Sequence, residues 1–311
     1  MKEVHLQKKT GGGRMKHLAS LIFTIAIIFS SPVSSFAAEQ QKEILIGLIP
    51  EMNVFRQQER FRPLMAYLAR KTGVKVNITI LSRYGNVIEK FASERMDGAF
   101  FGSFTGALAI EKLGVEPIAR PVNLDGGSTY QGYIFVRRDS GIKDVKDMRG
   151  KKMAFVEKAT TAGFVFPVAY LKQNGVPDFK KYFSEYYFAG SHDASIHAVL
   201  DRKADIGAAK HSIYDRLRKA EPRVDKELVI LAQSSKVPSN GLCVRKGLDK
   251  NIIGKLKEAL LNIDKDPEGK AVLEKFGAIK FIPTTVADYR PVFDLANDAG
   301  IDIRNYNYRN K

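Results

Sequence analysis

Apolar residues in the first third of the chain alternate between short continuous runs and runs with helical spacing. The run EILIGLIP ends at Pro50 and predicts a strand, and RFRPLMAYLARKTG then spaces its apolar residues three or four positions apart, which predicts a helix. The runs VKVNITIL and GAFFG predict two further strands with a helix between them. This alternation predicts an α/β fold with a parallel core sheet.

The same alternation returns in the middle of the chain, where residues 151–220 predict a second β-α-β-α unit. Residues from Leu248 onward predict mainly helix. We therefore predict two α/β lobes, with lobe 1 formed by residues 38–132 and 237–311 and lobe 2 by residues 133–236. Ligands of such sheets bind beyond the carboxyl ends of the strands, so the predicted binding site is a cleft between the lobes.

The N-terminus carries the pattern of a signal peptide. After Met15 a basic start is followed by apolar residues from Leu18 to Phe29 and then by small residues, so we predict cleavage after Ala37, with residues 1–14 as an upstream extension. An uncleaved anchor is the alternative, but the apolar run is short for a membrane span. No cysteine follows the run, which argues against a lipid anchor. The pattern predicts a soluble protein exported to the periplasm.

Composition and charge narrow the class of protein. With 44% hydrophobic residues, the chain can bury one large core or two medium ones. Residues 1–37 carry five basic residues and one acidic residue, a net +4, so the remaining chain keeps +12 of the total +16. This charge suits small anions, anionic membranes, nucleic acid or simply solubility, but the basic residues are interspersed with acidic ones, which argues against nucleic acid. The single cysteine, Cys243, predicts a buried strand thiol without a disulfide.

Two threonines stand where a predicted strand gives way to a predicted helix. In FVEKATTAGFVFP, the hydroxyls of Thr160 and Thr161 could cap free N–H groups of the helix. The same N–H groups, the helix dipole and the hydroxyls would also bind a tetrahedral oxyanion, with Lys158 adding positive charge and Gly163 allowing close approach of a ligand. Both interpretations stay open from this motif alone.

Two further helix starts carry side chains that can donate to an anion. In AGSHDASIHAVL, Ser191 predicts an N-cap and His192 lies in the first turn, although a lone histidine is more often structural. In LSRYGNVIEKF, Tyr84 offers a hydroxyl at another capped start. These positions predict a site built from several helix N-termini.

Six stretches of the chain together match the pattern of a known family: RFRPLMAYLARKTG, RYGNVIEKFASERMDGAFFG, QGYIFVRRDSGI, FVEKATTAGFVFP, GSHDAS, and ADIGAA followed by YDRL. They resemble the phosphonate-binding family of periplasmic solute-binding proteins from ABC importers, over most of the chain from Ile44 to Phe276. GSHDAS and the FxPLxxYL pattern carry the resemblance most specifically when they occur together. The resemblance implies a two-lobed, type II periplasmic-binding-protein fold that closes on a phosphonate.

The resemblance also implies a set of ligand contacts. The residues that it assigns to the oxyanion are Tyr84, Tyr133, Thr160, Thr161 and His192. The family's motif places serine, threonine and serine before the glycine, whereas this chain has Ala162 at the third position. One hydroxyl is therefore absent here, and only the backbone N–H group of Ala162 remains for the ligand.

A second departure from the family concerns the far end of the ligand. Aminoalkylphosphonate binders hold the ammonium group with two acidic residues, and the matching positions here are Ser212 and Asn240, with Lys210 nearby. A buried ammonium group without a carboxylate is costly. We therefore expect phosphate, phosphite or simple alkyl phosphonates to bind more tightly than aminoethylphosphonate. The alternative is that another acid, such as Glu51 or Asp125, reaches the cleft and accepts the amine.

The leading hypothesis is a non-catalytic, monomeric binding protein that delivers a phosphate-like oxyanion to an ABC permease in the inner membrane. A subunit that reports the same anion to a sensor kinase or chemoreceptor is the alternative, and neighbouring permease and ATPase genes would favour the importer. An enzyme is not expected, because the chain has no H-E-x-x-H, G-x-S-x-G or P-loop motif, its GGGR run at residues 11–14 lies in the predicted leader, and its five histidines are scattered. No cofactor and no metal are predicted.

Overall fold

Strands and helices alternate through most of the chain. The structure, a computed structural model, describes residues 42–52 and 54–310, and the predicted signal peptide with its cleavage after Ala37 lies outside these residues. The strands are β1 (Glu43–Leu48), β2 (Lys75–Ile80), β3 (Gly98–Phe101), β4 (Glu116–Asn123), β5 (Thr129–Tyr130), β6 (Gly132–Arg137), β7 (Lys152–Phe155), β8 (Glu185–Phe188), β9 (Ile206–Lys210), β10 (Leu228–Gln233), β11 (Val237–Pro238), β12 (Gly241–Val244) and β13 (Ala278–Pro283).

Helices connect most of these strands. The α-helices are α1 (Val54–Thr72), α2 (Val87–Ser93), α3 (Ser103–Leu113), α4 (Phe166–Gln173), α5 (Phe179–Tyr182), α6 (His192–Leu200), α7 (His211–Ala220), α8 (Pro222–Glu227), α9 (Lys250–Leu261), α10 (Pro267–Phe276) and α11 (Arg290–Asp298). Short 3-10 helices span Tyr84–Asn86, Lys146–Met148, Ile263–Lys265 and Val286–Tyr289, and a π-helix at Thr161–Val165 leads directly into α4. Within the described part of the chain, no helix is both long enough and apolar enough to cross a membrane.

The strands form two mixed sheets and a short ribbon. The first sheet has the order β13-β4-β12-β3-β1-β2, from the first and last parts of the chain, and the second has the order β10-β6-β9-β7-β8, from the middle. Strand β1 pairs in parallel with β2 and β3, and β7 with β8 and β9, whereas the remaining pairs are antiparallel. The predicted two-lobed α/β fold is confirmed, but the predicted parallel core is only part of each sheet.

The C-terminal part contains a strand that the helical prediction missed. Strand β13 follows α10 after Gly277, whose positive φ of 81° ends the helix, and it pairs with β4 at the edge of the first sheet. Its burial alternates irregularly along six residues, so the apolar pattern is too short and too weak to separate strand from helix.

The core of the first sheet explains the helical spacing in α1. Phe61, Leu64 and Leu68 are buried on one face of α1, and the Phe61 ring meets the rings of Phe100 and Phe276 at centroid distances of 5.1 Å each. The aromatic contacts tie α1 to β3 and to the end of α10. This packing holds the connection after β1, where one wall of the cavity described below begins.

The chain passes between the two sheets twice, and the two passages pair with each other. Strand β5 and strand β11 form an antiparallel ribbon in which Tyr130 lies opposite Val237. The ribbon places Tyr130 beside both sheets. The lobe boundaries at residues 132/133 and 236/237 stay predictions.

Candidate functional site

Residues from both sheets enclose a small polar cavity. About 10 Å³ of it is open to the centre of a water-sized sphere, which is about the room that one water molecule needs. Five of the eight residues proposed from the sequence line it: Tyr84, Thr160, Thr161, His192 and Asn240. The other lining residues are Ile49, Glu51, Gly102, Ser103, Phe104, Thr105, Tyr130, Ala159 and Lys210.

Helix starts converge on this cavity from both lobes. The π-helix begins at Thr161, α6 begins at His192 and α3 begins at Ser103, each directly after or close to the carboxyl end of a strand. The first N–H groups of a helix have no partner inside the helix, and the helix dipole places partial positive charge there. The cavity therefore has the electrostatics of an anion site.

The two adjacent threonines differ in their hydrogen bonds. The Thr160 hydroxyl donates to the carbonyl of Glu157 and so holds the turn before the helix. The Thr161 hydroxyl is buried and has no hydrogen-bond partner among the described residues. It lies near enough to the Tyr130 hydroxyl to lower the pKa of that group, but the two oxygens do not meet hydrogen-bond geometry. Thr160 therefore fits the structural interpretation and Thr161 fits the ligand-binding one.

The Tyr84 hydroxyl is a second buried polar group with no partner in the described part of the chain. Burial raises its pKa well above the ordinary value, so the phenol stays protonated and can donate. Buried hydroxyls without a partner are rare in native proteins, because each one forgoes the hydrogen bonds it makes in water. Two of them on one cavity indicate a ligand that accepts hydrogen bonds.

His192 lies buried at the cavity with one ring nitrogen already engaged. The backbone N–H of Lys210 donates to His192 Nδ1 at 3.2 Å. Burial, assisted by the charge of Lys210, lowers the pKa of His192 to about 4. The ring is therefore neutral near pH 7 with its proton on Nε2, because Nδ1 acts as an acceptor. His192 can thus donate one hydrogen bond to an anion without being protonated.

This burial predicts a pH-dependent stability. Between about pH 6.5 and pH 4, the unfolded chain binds a proton at His192 that the folded chain does not, so the free energy of unfolding should fall as the pH falls through this window. The His192→Gln variant should show a shallower fall, by a few kcal/mol at most. Urea unfolding of the ligand-free protein at pH 7 and pH 4.5 measures the difference.

The matched control is His197→Gln in the same helix, because the His197 side chain is 44% exposed and pairs with Glu221. Equal slopes for wild type and His192→Gln would contradict the prediction.

An ion pair between Lys210 and Glu51 forms part of the cavity wall. Lys210 Nζ lies 2.8 Å from Glu51 Oε1 and 3.1 Å from Asn240 Oδ1, and Arg60 lies 3.8 Å from the other Glu51 oxygen. Burial alone would raise the pKa of Glu51, but Lys210 and Arg60 outweigh it and lower it to about 2. Glu51 does reach the cavity, as the alternative from the sequence anticipated. Its charge, however, is already matched by two cations.

Three residues proposed from the sequence lie away from this cavity. The Tyr133 ring packs against His211 and Tyr214, at centroid distances of 6.0 and 5.7 Å. Tyr130, three residues earlier on the ribbon, occupies the cavity wall instead, with its hydroxyl 2.7 Å from Ser103 Oγ. The spacing of aromatic residues in the sequence does not show which side of a sheet each one faces, and here the ribbon turns Tyr130 inward.

Ser212 and Ala162 are the other two proposed residues that lie away from the cavity. Ser212 lines a separate, open cavity on the outer side of the Glu51–Lys210 pair. Ala162 is buried where β6 crosses the π-helix, close to Gly132, so its side chain packs against backbone. Alanine in place of the family's serine at position 162 therefore changes the packing of the helix start.

Gly163 has a different role from the one expected. A Cβ at this position would lie 2.4 Å from both Cβ and Cγ2 of Val156 and 2.8 Å from Thr160 Oγ1. The glycine is required because the helix start lies directly on the end of β7. Gly163 therefore allows the helix start to pack closely against the end of β7, and its contacts are with protein rather than with the cavity.

The loop before Thr160 is held from behind by the C-terminal segment. The Lys158 N–H donates to Asn310 Oδ1 at 3.0 Å, and the Tyr306 hydroxyl donates to the Lys158 carbonyl at 3.3 Å. The Lys158 ammonium group donates to the Arg309 carbonyl at 3.0 Å, and Lys158 is not among the residues on the cavity. Lys158 therefore does not line the cavity, and its contribution of positive charge to the site stays a prediction.

Sequence reasoning missed Ser103 and Tyr130. Ser103 follows the buried run GAFFG and starts α3, which is the same strand-to-helix signal that singled out the threonines. The motif GAFFGSFTG was therefore sufficient to propose Ser103. Tyr130 has no such signal, because only the pairing of the two passages between the lobes places it at the cavity.

Fold and cavity together define a class of protein, namely a two-lobed α/β binding protein of the type II periplasmic-binding-protein fold with an enclosed polar site between its lobes. The family model described as "ABC transporter, phosphonate, periplasmic substrate-binding protein" matches residues 46–289, and the chain belongs to this family. The family consists of periplasmic substrate-binding components of transporters.

Individual relatives agree with this family. The chain is 27% identical over 289 residues to the phosphonates-binding periplasmic protein of Escherichia coli, which covers 90% of this chain and 84% of the relative. It is 32% identical over 194 residues to the phosphate-import protein PhnD of Mycolicibacterium smegmatis, which covers 60% of each chain. Its fold is similar to a binding protein component of an ABC phosphonate transporter from Pseudomonas aeruginosa, with a TM-score of 0.77, 22% identity and coverage of 84% and 87%.

Proposed function

We propose that this chain is the periplasmic solute-binding component of an ABC importer and that its ligand is a small phosphate-like oxyanion. The observation that carries the ligand class is the pair of buried, unpartnered hydroxyls of Tyr84 and Thr161 on one enclosed cavity. Both are donors to an acceptor that the protein itself does not supply. Helix N-termini at the same cavity favour an acceptor with negative charge.

The charges around the cavity support an anion further. Glu51 contributes one negative charge and Lys210 and Arg60 contribute two positive ones, so this group keeps a net positive charge. His192 adds a neutral donor rather than a cation. The group therefore favours an oxyanion, and Glu51, the carboxylate among the residues that line the cavity, is already paired.

The cavity has room for about one water-sized sphere, so a tetrahedral anion requires its walls to move apart from their present positions. Compact ions such as phosphate, phosphite and methylphosphonate require the smallest movement. Names of the relatives include both phosphonate and phosphate as ligands, so the family alone does not choose among these ions. The expectation that aminoethylphosphonate binds more weakly than the simple anions rests on the matched charge of Glu51.

Within the proposal, the protein binds its ligand without chemical change, acts as a monomer and passes the ligand to a permease in the inner membrane. Among the described residues, no group of three His, Cys, Asp or Glu side chains could hold a metal ion. Nucleic acid is not part of the proposed function. The purified protein should not convert a bound organophosphorus compound.

Calorimetry on refolded, ligand-free protein tests the function. We expect phosphate, phosphite or methylphosphonate to bind, and aminoethylphosphonate to bind at least about tenfold more weakly, since a buried ammonium group would lack a free counter-charge. Sulfate serves as the control for charge and shape without phosphorus. Mass spectrometry of material released from the protein as purified identifies the natural ligand. Binding of none of the tetrahedral anions would overturn the function, and displacement of the simple anions by aminoethylphosphonate at equal concentration would overturn the ligand class.

A further inference from the structure

The Glu51–Lys210 ion pair separates two cavities. Both residues line the enclosed cavity, and both also line the open cavity outside it, which has a volume of about 310 Å³. Glu51 follows β1 of the first sheet, and Lys210 ends β9 of the second. The two side chains are 5% and 10% exposed, so the pair fills the passage between the cavities. It therefore forms a partition contributed by both lobes.

The partition is held in place by further contacts. The Lys210 ammonium group donates to Asn240 Oδ1 at 3.1 Å and lies 4.5 Å from the centre of the Tyr130 ring. Arg60, which lies 3.8 Å from Glu51, is itself fixed by a hydrogen bond of 2.7 Å to the Phe276 carbonyl. Lys210 and Glu51 thus each have a second partner, and moving Glu51 away would leave the buried Lys210 charge without a carboxylate.

The outer cavity has room for a ligand substituent. Its lining includes the polar residues Ser212, Asp215 and Arg216 on α7, and Asp125 on the loop after β4. Because the two cavities share Glu51 and Lys210 in their linings, a substituent that left the inner cavity past this pair would enter this space. In the wild-type protein the Glu51–Lys210 pair stands in the way.

We infer that the Glu51–Lys210 pair is the specificity determinant of this site, which limits the ligand to a tetrahedral oxyanion with at most a methyl-sized substituent. The inference rests on the proposed function and specifies its ligand class. The pair limits the size of the ligand's substituent because it occupies the passage. It also excludes a positively charged substituent, because Lys210 repels an ammonium group and pairs with the Glu51 carboxylate that would otherwise bind it. Exclusion of this kind is a common source of binding specificity.

Removal of Lys210 should therefore change the ligand preference. Lys210→Ala opens the passage and leaves Glu51 with only the longer Arg60 contact of 3.8 Å, so an aminoalkyl substituent gains both space and a less fully paired counter-charge. Lys210→Met removes the charge but keeps most of the side-chain volume, so the passage stays blocked. Adding Glu51→Gln to Lys210→Ala keeps the space and removes the carboxylate. Ligands with a neutral alkyl substituent should then bind more tightly, whereas ligands with an aminoalkyl substituent should not.

The experiment measures the affinities of wild type and these three variants for phosphite, n-propylphosphonate and aminoethylphosphonate by calorimetry. For Lys210→Ala, we expect the affinity ratio of aminoethylphosphonate to phosphite to rise about tenfold or more over wild type, because a charge-assisted hydrogen bond is gained. For the double variant, the ratio of n-propylphosphonate to phosphite should rise and that of aminoethylphosphonate should not. Lys210→Met should leave the ratio of n-propylphosphonate to phosphite close to the wild-type value, because the passage stays blocked.

A matched control and a folding check make the outcomes distinct. Lys219→Ala removes one positive charge from the exposed rim of the same outer cavity without touching the partition, and it should leave the ratios unchanged. Circular dichroism and thermal melting identify any variant that fails to fold, and the double variant still tests the passage if Lys210→Ala is unstable. Unchanged ratios in folded Lys210→Ala and in the double variant, or wild-type binding of n-propylphosphonate as tight as that of phosphite, would overturn the inference. Wild-type binding of no tetrahedral anion would instead contradict the proposed function itself.

Discussion

Tyr84→Phe and Thr161→Val are each expected to weaken binding of phosphate or phosphite about tenfold or more, without lowering the stability of the ligand-free protein. Each substitution removes a hydroxyl that has no partner among the described residues and keeps the shape of the side chain. A hydrogen bond to a charged ligand contributes roughly 1.5 to 3 kcal/mol, which corresponds to that loss of affinity. Calorimetry gives the affinity, and urea unfolding gives the stability.

The stability measurement separates a binding role from a structural one. A buried hydroxyl with no partner costs free energy in the ligand-free protein, so its removal should leave the free energy of unfolding unchanged or slightly higher. Thr160→Val is the matched contrast, because the Thr160 hydroxyl donates to the Glu157 carbonyl and its loss should lower stability. The same substitution at two adjacent positions should therefore give opposite patterns.

Tyr133→Phe tests the structure against the family resemblance. The resemblance assigns Tyr133 to the oxyanion, whereas in the structure its ring packs against His211 and Tyr214. We expect Tyr133→Phe to leave the affinity unchanged. Wild-type affinity in both Tyr84→Phe and Thr161→Val would show that the cavity described above is not the ligand site. A loss of affinity in Tyr133→Phe alone would place the ligand elsewhere in the cleft.

The second large effect is expected from Gly163→Ala. The added Cβ would lie 2.4 Å from two atoms of Val156, which no rotation of either side chain relieves completely. Overpacking of this kind costs typically about 1 to 3 kcal/mol of stability. Because the helix start has to move off β7, the N–H groups of residues 161–163 move as well, and anion affinity should fall together with stability.

Gly254→Ala is the control for Gly163→Ala. Gly254 lies in α9, and beyond its own helix backbone no atom of the described residues lies within 4 Å of an added Cβ, so alanine there should be neutral or should stabilise the helix by up to about 1 kcal/mol. Urea unfolding of both variants gives the comparison, and calorimetry gives the affinity. If Gly163→Ala were as stable as Gly254→Ala and bound its ligand normally, the close contact with Val156 would not be needed to hold the site.

Most of the fold could be predicted from the chain because its signals are local. A strand run followed by a helix with three- or four-residue spacing occurs at β1 and α1, and it recurs at β7 and α4. Such patterns depend on residues close in sequence, and each needs only one buried face to be recognised. The antiparallel strands were the part not predicted, since the direction in which a strand joins its sheet depends on partners far away in the chain. Strand β13 is the clearest case, because its partner β4 lies about 160 residues earlier.

Local signals along the chain are enough to predict the α/β class, the two lobes and the helix starts at Thr161 and His192, because caps, glycines and apolar spacing act within a few residues. The folded structure is needed to show that Tyr130 rather than Tyr133 faces the cavity, and that Gly163 allows close packing on Val156. It is also needed to show that Glu51 is neutralised by Lys210, which lies 159 residues further along the chain. A buried charge and an unpartnered hydroxyl are defined by what surrounds them in space. Those neighbours come from both lobes and meet only when the chain has folded.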